Sequence, residues 1–197
     1  MTGVLAGVEE RLRTAFGEPD ARAAVTFVGA DRIEVLRFPD AAAGLVRYAT
    51  LGMSAAPMAD PTAPVADPER GPRAELLLTL RAGRATTDAV LRPLAVVAAS
   101  PQVEGVVVAP GGSLDLGEPL WPGARFTAVL VGRPDGSVPE LALPAPRDPV
   151  RFLPLLPMTP NEAAWQRAHG ADALTERWAG HGADPRDPAR AQVPLGP

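Results

Sequence analysis

The chain has no cysteine, which excludes disulfides, thiol nucleophiles and thiolate metal sites together, and suits a reducing compartment. It also has no lysine, so all 19 basic residues are arginine. An arginine surface seeking phosphate is one reading of that fact. The other is a GC-rich genome, whose codons favour Ala, Arg, Pro, Gly and Val together. The arginines are scattered and the net charge is −4, which favours the genomic reading and argues against a nucleic-acid duplex as partner. Aromatic residues make up only 5%, so most of them are needed for the core. No apolar run approaches 18 residues, which leaves nothing to span a membrane as a helix. Glu9, Glu10, Arg11 and Arg13 interrupt the apolar pattern of the N-terminus, where a signal peptide needs an unbroken apolar centre. A cytoplasmic protein is expected.

What the chain does contain is proline, 24 residues of it, which predicts many reversals and short elements. Hydrophobic residues make up 46% and charged residues 21% of the 197 residues, ordinary values for one globular domain. Residues 1–180 are expected to form that domain, and 181–197 a Pro-rich irregular tail. Val4, Leu5, Val8, Leu12 and Phe16 recur at helical spacing before Gly17. The runs 24–29 and 32–38 suggest a hairpin turning at Ala30-Asp31, and 45–51 a third strand. Residues 55–72 carry five prolines and read as a surface loop. Ala74 to Leu80 holds three successive leucines, a pattern of burial on both faces and hence of a central strand.

Asp88 to Ala99 reads as a middle helix, with Pro93 starting or kinking it. Residues 106–108 and 113–116 are short strand candidates around Pro110-Gly111-Gly112. Residues 125–131 and 138–143 flank Pro134-Asp135-Gly136 as a further hairpin. Val150 to Leu156 is the last strand, and Pro154 predicts that this part of it lies at an edge. Thr159, Pro160 and Glu162 form a capping-box helix start, Gly170 ends that helix, and a second short one follows over 172–179. The order predicts an α+β fold: a mixed, largely antiparallel sheet flanked by an N-terminal helix, a middle helix and a C-terminal helix pair.

Thr50-Leu51-Gly52-Met53-Ser54, with Pro57-Met58 after it, resembles the signature of suppressor-of-fused domains. Arg73-Ala74-Glu75-Leu76 is similar to that family's Arg-Ala-Glu-Leu strand, and Arg92-Pro93-Leu94 with Ser100-Pro101 to its middle helix. Residues 152–159, with Glu162, Gly170 and Leu174, resemble its closing strand and helix. The resemblance spans roughly residues 35–180. Ala and Val replace most family aromatics around the middle helix, and the N-terminal stretch matches little. The resemblance implies a non-enzymatic domain without cofactor that holds a protein partner, either an extended peptide strand or, by analogy with stand-alone bacterial relatives, a toxin domain neutralised by an immunity protein. A structural role in a toxin or secretion locus is a further reading.

Competing chemistry is thinner. Gly52-Met53-Ser54-Ala55-Ala56 approximates a nucleophile elbow and would make the chain a serine hydrolase, but Pro57 and its successors forbid the helix such an elbow needs. His169, Asp172, Glu176 and His181 invite a metal reading that Gly170 breaks. Gly111-Gly112-Ser113 lacks the lysine of a phosphate loop. The candidate partner-binding residues are therefore Met53 and Met58 beside the proline loop, Arg151 and Pro154 on the last strand, and Trp121, expected as an exposed anchor. Trp165 and Trp178 are expected to pack inward.

Overall fold

The computed structural model describes residues 2–26, 31–59 and 67–196. Ala30 of the expected turn, residues 27–29 of the run before it and residues 60–66 of the proline loop lie outside them. Helix α1, Thr2–Phe16, turns Val8 and Leu12 fully inward, and Gly17 ends it with φ 84°, a conformation that favours glycine. The strands are β1 (Ala21–Val25), β2 (Ile33–Asp40), β3 (Leu45–Leu51), β4 (Arg73–Arg81), β5 (Ser113–Asp115), β6 (Ala128–Val131) and β7 (Val150–Met158). They form one sheet in the order β1-β2-β3-β4-β7-β6-β5. Only β4 and β7 run parallel. The mixed, largely antiparallel sheet is present, and the leucine strand β4 is at its centre.

Side-chain alternation along the strands feeds three apolar layers. Ile33, Val35, Val46, Tyr48, Leu76, Leu78, Val129 and Leu153 face α2, Leu91–Glu104. On the opposite face Leu36, Phe38, Ala49, Leu77 and Phe152 meet Val4, Val8 and Leu12 of α1. The rest of that face, from Ala128, Leu130 and Met158, meets α3 (Pro160–His169) and α4 (Ala171–Gly180). The leucines of β4 thus lie between two layers, as a continuous apolar run requires.

Helix α2 starts and ends later than its sequence suggests. One turn of 3-10 helix, Asp88–Val90, precedes it, and it continues through Pro101 to Gly105 in the left-handed conformation. Proline cannot donate to the carbonyl four residues back. The Ser100 hydroxyl donates to that carbonyl, Val97 O, at 2.8 Å, which lets the helix run on. At α3 the capping box is formed as read: the Thr159 side chain accepts from the Glu162 N–H and the Glu162 carboxylate accepts from the Thr159 N–H.

Three local expectations are overturned. Residues 138–143 do not pair with β6, because β5 and β7 already occupy both its sides; their backbone joins the sheet at a single bridge between Leu141 and Val150, while Val138, Leu141 and Leu143 pack into the layer under α1. Residues 106–108 form no strand, and the Val108 N–H donates to the Met58 sulfur at 3.3 Å. Strand β7 is interior, between β4 and β6. Pro154 is tolerated there because the β6 ladder covers only residues 155–158. One residue beyond it, the Pro154 carbonyl accepts from Gly132 N–H at 2.7 Å, and the ladder asks for no donor in return.

Candidate partner-binding site

The signature turn is a buried polar unit made by two neighbouring strands. Register places Ala49 opposite Leu77, which brings the end of β3 beside Glu75. The Glu75 carboxylate is fully buried and accepts from Thr50 Oγ1 (2.6 Å), Gly52 N–H (2.9 Å), Ser54 N–H (3.0 Å) and Ser54 Oγ (2.6 Å). Thr50 Oγ1 in turn accepts from Leu76 N–H at 2.8 Å. Burial pushes the Glu75 carboxyl above the usual carboxylate range, against the pull of those donors. Gly52 sits at φ 138°, and a Cβ there would lie 2.6 Å from the Arg32 carbonyl oxygen, so no other residue fits. Ser54 is fully buried and its proton is directed at Glu75. These bonds and its 0% exposure build the serine into the turn.

Arg73 closes the same unit from below. Its guanidinium donates to the carbonyls of Ser54 (2.9 Å), Ala55 (3.0 Å) and Glu69 (3.4 Å), so one side chain grips both ends of the 55–72 loop. Met58 N–H donates to Pro72 O at 2.8 Å, and Gly71 N–H to Asp148 Oδ2 at 2.7 Å. Arg151, exposed on β7, borders a shallow cleft of about 230 Å³ with Pro72, Arg73, Asp148 and Pro149. The loop base and Arg151 are therefore one surface. It lies at the sheet end where β1 finishes and β2 begins, since Val25 pairs with Ile33, Glu34 with Leu51 and Arg73 with Val150.

The other expected residues separate from that surface. Met53 and Met58 are 2% and 4% exposed, buried in the core cluster on the α2 side of the sheet. Trp121 is 2% exposed, not a surface anchor. The turn at Pro122-Gly123 folds back, with Leu120 N–H donating to Phe126 O at 2.9 Å, and the indole packs tilted on Phe126 at 5.8 Å. Pro154 lines a different, open groove of about 730 Å³ with Gly132, Arg133, Gln166, Gly170 and Asp172. Trp178 packs inward as expected, and its indole N–H donates to Glu162 at 3.0 Å. Trp165 is half-buried against His169 at 4.1 Å. Among the described residues no three His, Asp or Glu side chains converge on a metal position, and no helix is long and apolar enough to cross a membrane.

Sequence reasoning gave no role to Glu75, Arg73, Arg177 or Arg190. A signal existed for Glu75: a carboxylate inside a leucine strand demands donors, and Thr50-Leu51-Gly52-Met53-Ser54 supplies them. Nothing comparable announces Arg190.

Comparison with known proteins agrees with this architecture. The structure superposes on a suppressor-of-fused homolog of Neisseria gonorrhoeae FA 1090 with a TM-score of 0.70 at 19% identity, covering 98% of this chain and 97% of that one. It superposes on a chain of the Sufu–Fu complex with a TM-score of 0.64 at 11% identity, covering 98% and 91%. For Drosophila suppressor of fused the TM-score is 0.57 at 13% identity, covering 96% of this chain and 50% of the fly protein. These identities establish the shared fold. No curated protein matched by sequence. The family model described as suppressor of fused protein matches residues 29–191, a span that includes the Thr50–Ser54 turn, its Glu75 partner and the capped closing helix. The chain belongs to the suppressor-of-fused family.

Proposed function

We propose that the chain is a non-enzymatic binding domain that captures one protein partner in the cytoplasm, in a regulatory or immunity role, by accepting an extended segment of that partner along β1. The observation that carries this reading is the position of β1. It ends the sheet, so among the described residues its outer side meets no other strand, and its residues alternate between half-buried and exposed. An open strand edge offers backbone donors and acceptors to an incoming strand. Arg151 and the base of the 55–72 loop lie at the same sheet end with β2, β3 and β4 between them and β1, so a partner that continues over that end reaches side chains that give specificity. Family membership supports the choice of a protein partner, and the internal use of the Ser54 hydroxyl speaks against the hydrolase alternative.

The test uses neighbouring prolines. Along a strand, successive N–H groups point to opposite sides, so of Ala23→Pro and Ala24→Pro one removes a bond to β2 and the other only an outward donor. With the full chain as bait and the captured partner identified and titrated, the outward variant should retain its melting temperature and bind at least ten-fold more weakly. Arg151→Glu should add to the loss. Unchanged affinity in all three overturns the placement. The absence of any saturable protein partner overturns the reading itself.

A further inference from the structure

Residues 181–196 have no regular secondary structure, yet they are held in the manner of a bound peptide. Arg190, 6% exposed, donates to both oxygens of Glu162 at 2.7 and 2.9 Å and to the Pro157 carbonyl at 2.7 Å. Its guanidinium lies 4.8 Å over the Phe126 ring and 5.0 Å over Trp178. Three residues on, Val193 is 4% exposed among Leu130, Met158, Leu174 and Trp178, with Leu195 packed beside it. The Arg177 guanidinium grips the carbonyls of Pro194 and Gly196 at 2.7 and 2.9 Å. Ala191, Gln192 and Pro194 face solvent. Side-chain anchors at intervals plus a clamp on main-chain carbonyls are the means by which domains read extended peptides.

We propose that this trough is a peptide-binding site occupied in cis by Arg190–Gly196, and that a protein partner takes it by presenting an extended segment with an arginine followed by apolar residues three and five positions later. The proposal deepens, and rests on, the reading of the chain as a protein-capturing domain. The chemistry of the occupant follows from Glu162, which is 0% exposed. A buried carboxylate stripped of its counter-charge is strongly disfavoured, so neither an empty trough nor an all-apolar segment competes with the tail. The competitor has to bring its own cation. Two aromatic faces and a fork of acceptors, the carboxylate and the Pro157 carbonyl, select a planar guanidinium over an ammonium. Residues 194–196 rest on the surface clamp of Arg177 and are the part that peels first, ahead of the exchange at Glu162.

The probe is a fluorescent peptide with the sequence of residues 187–197, titrated by anisotropy into the full chain. The wild type, its trough filled, should bind weakly. The full chain carrying Val193→Asp and Leu195→Asp, which frees the outer half of the tail, should bind at least ten-fold more tightly. The same peptide with Arg190→Gln should lose at least ten-fold on that variant, and Arg177→Ala in the receptor should weaken it further. A folded variant without saturable binding, or binding indifferent to the peptide's arginine, overturns the proposal. If the aspartates prevent folding, Val193→Ala with Leu195→Ala replaces them. Failure of that pair to fold also overturns it, because the tail is then part of the core. Capture of the titrated partner by the wild type, measured alongside, separates the two readings: persistence with an inert peptide removes the trough alone, and peptide binding without any protein partner removes the capture reading.

Discussion

Glu75 shows how much one side chain organises at the level of single residues. It receives both Thr50 and Ser54 hydroxyls and two backbone N–H groups in a site without solvent. Removing it orphans all four donors, and a buried donor without a partner costs about 1–3 kcal/mol. Glu75→Ala is therefore expected to lose roughly 3 kcal/mol or more in urea unfolding, with Glu75→Gln losing less because an amide oxygen still accepts. The pH dependence has a definite sign. Burial raises the Glu75 carboxyl above its unfolded value, so the folded chain holds this proton more tightly. The contribution is present below the usual carboxylate range and lost as pH rises through the raised value. The stability of the wild type relative to Glu75→Gln should accordingly fall as pH climbs above that range. A rise would contradict the assignment.

Among the elements, α2 is the most informative, because it runs through a proline in its last turn. The Ser100 hydroxyl supplies the donor that Pro101 lacks for the Val97 carbonyl. Ser100→Ala should therefore cost about 1 kcal/mol in the native sequence and close to nothing with Pro101→Ala, where a backbone N–H returns to the carbonyl. A double-mutant cycle by chemical denaturation measures this coupling, and additive costs would refute it. The strands add a second lesson. Pro154 predicts an edge, yet β7 is interior, because proline is excluded by the need for a donor and not by position in the sheet. The ladder ends one residue before that need arises.

The molecule as a whole is tied together at its C-terminal end by carboxylates on arginines. Partial burial pushes the Asp184 carboxyl up, but bonds from Arg186 and Arg81 outweigh it and bring it down to about 2. Burial likewise opposes, and Arg190 overrides, at Glu162, which is held below its ordinary value. Lowered carboxyls contribute stability above their unfolded values and lose it as pH falls through the folded ones. Between roughly pH 4 and pH 2, hydrogen exchange should therefore accelerate in residues 181–196 before it does in β2, β3 and β4. Simultaneous loss across both regions would show that the C-terminal segment does not open separately.

Much of this protein was legible in its sequence because local physics decides it. Val8 and Leu12 at helical spacing before Gly17 could only be an amphipathic helix, and Thr159-Pro160 with Glu162 could only open one. Three leucines in a row needed two apolar layers, which α1 and α2 provide. The family signature was legible too, as a pattern without a mechanism. What required the tertiary structure was every property that depends on residues far apart in the chain. Trp121 sits among prolines and glycines that suggest exposure, but the Pro122-Gly123 turn carries it back onto Phe126 in the core. Strand neighbours are a global assignment, so residues 138–143 lost their pairing to strands elsewhere in the sequence. Arg190 in a proline-rich tail looks like one more solvated arginine until Glu162, 28 residues earlier, closes on it. Strand order and long-range charge pairs leave no periodicity to read, and they decided the β1 edge and the C-terminal trough.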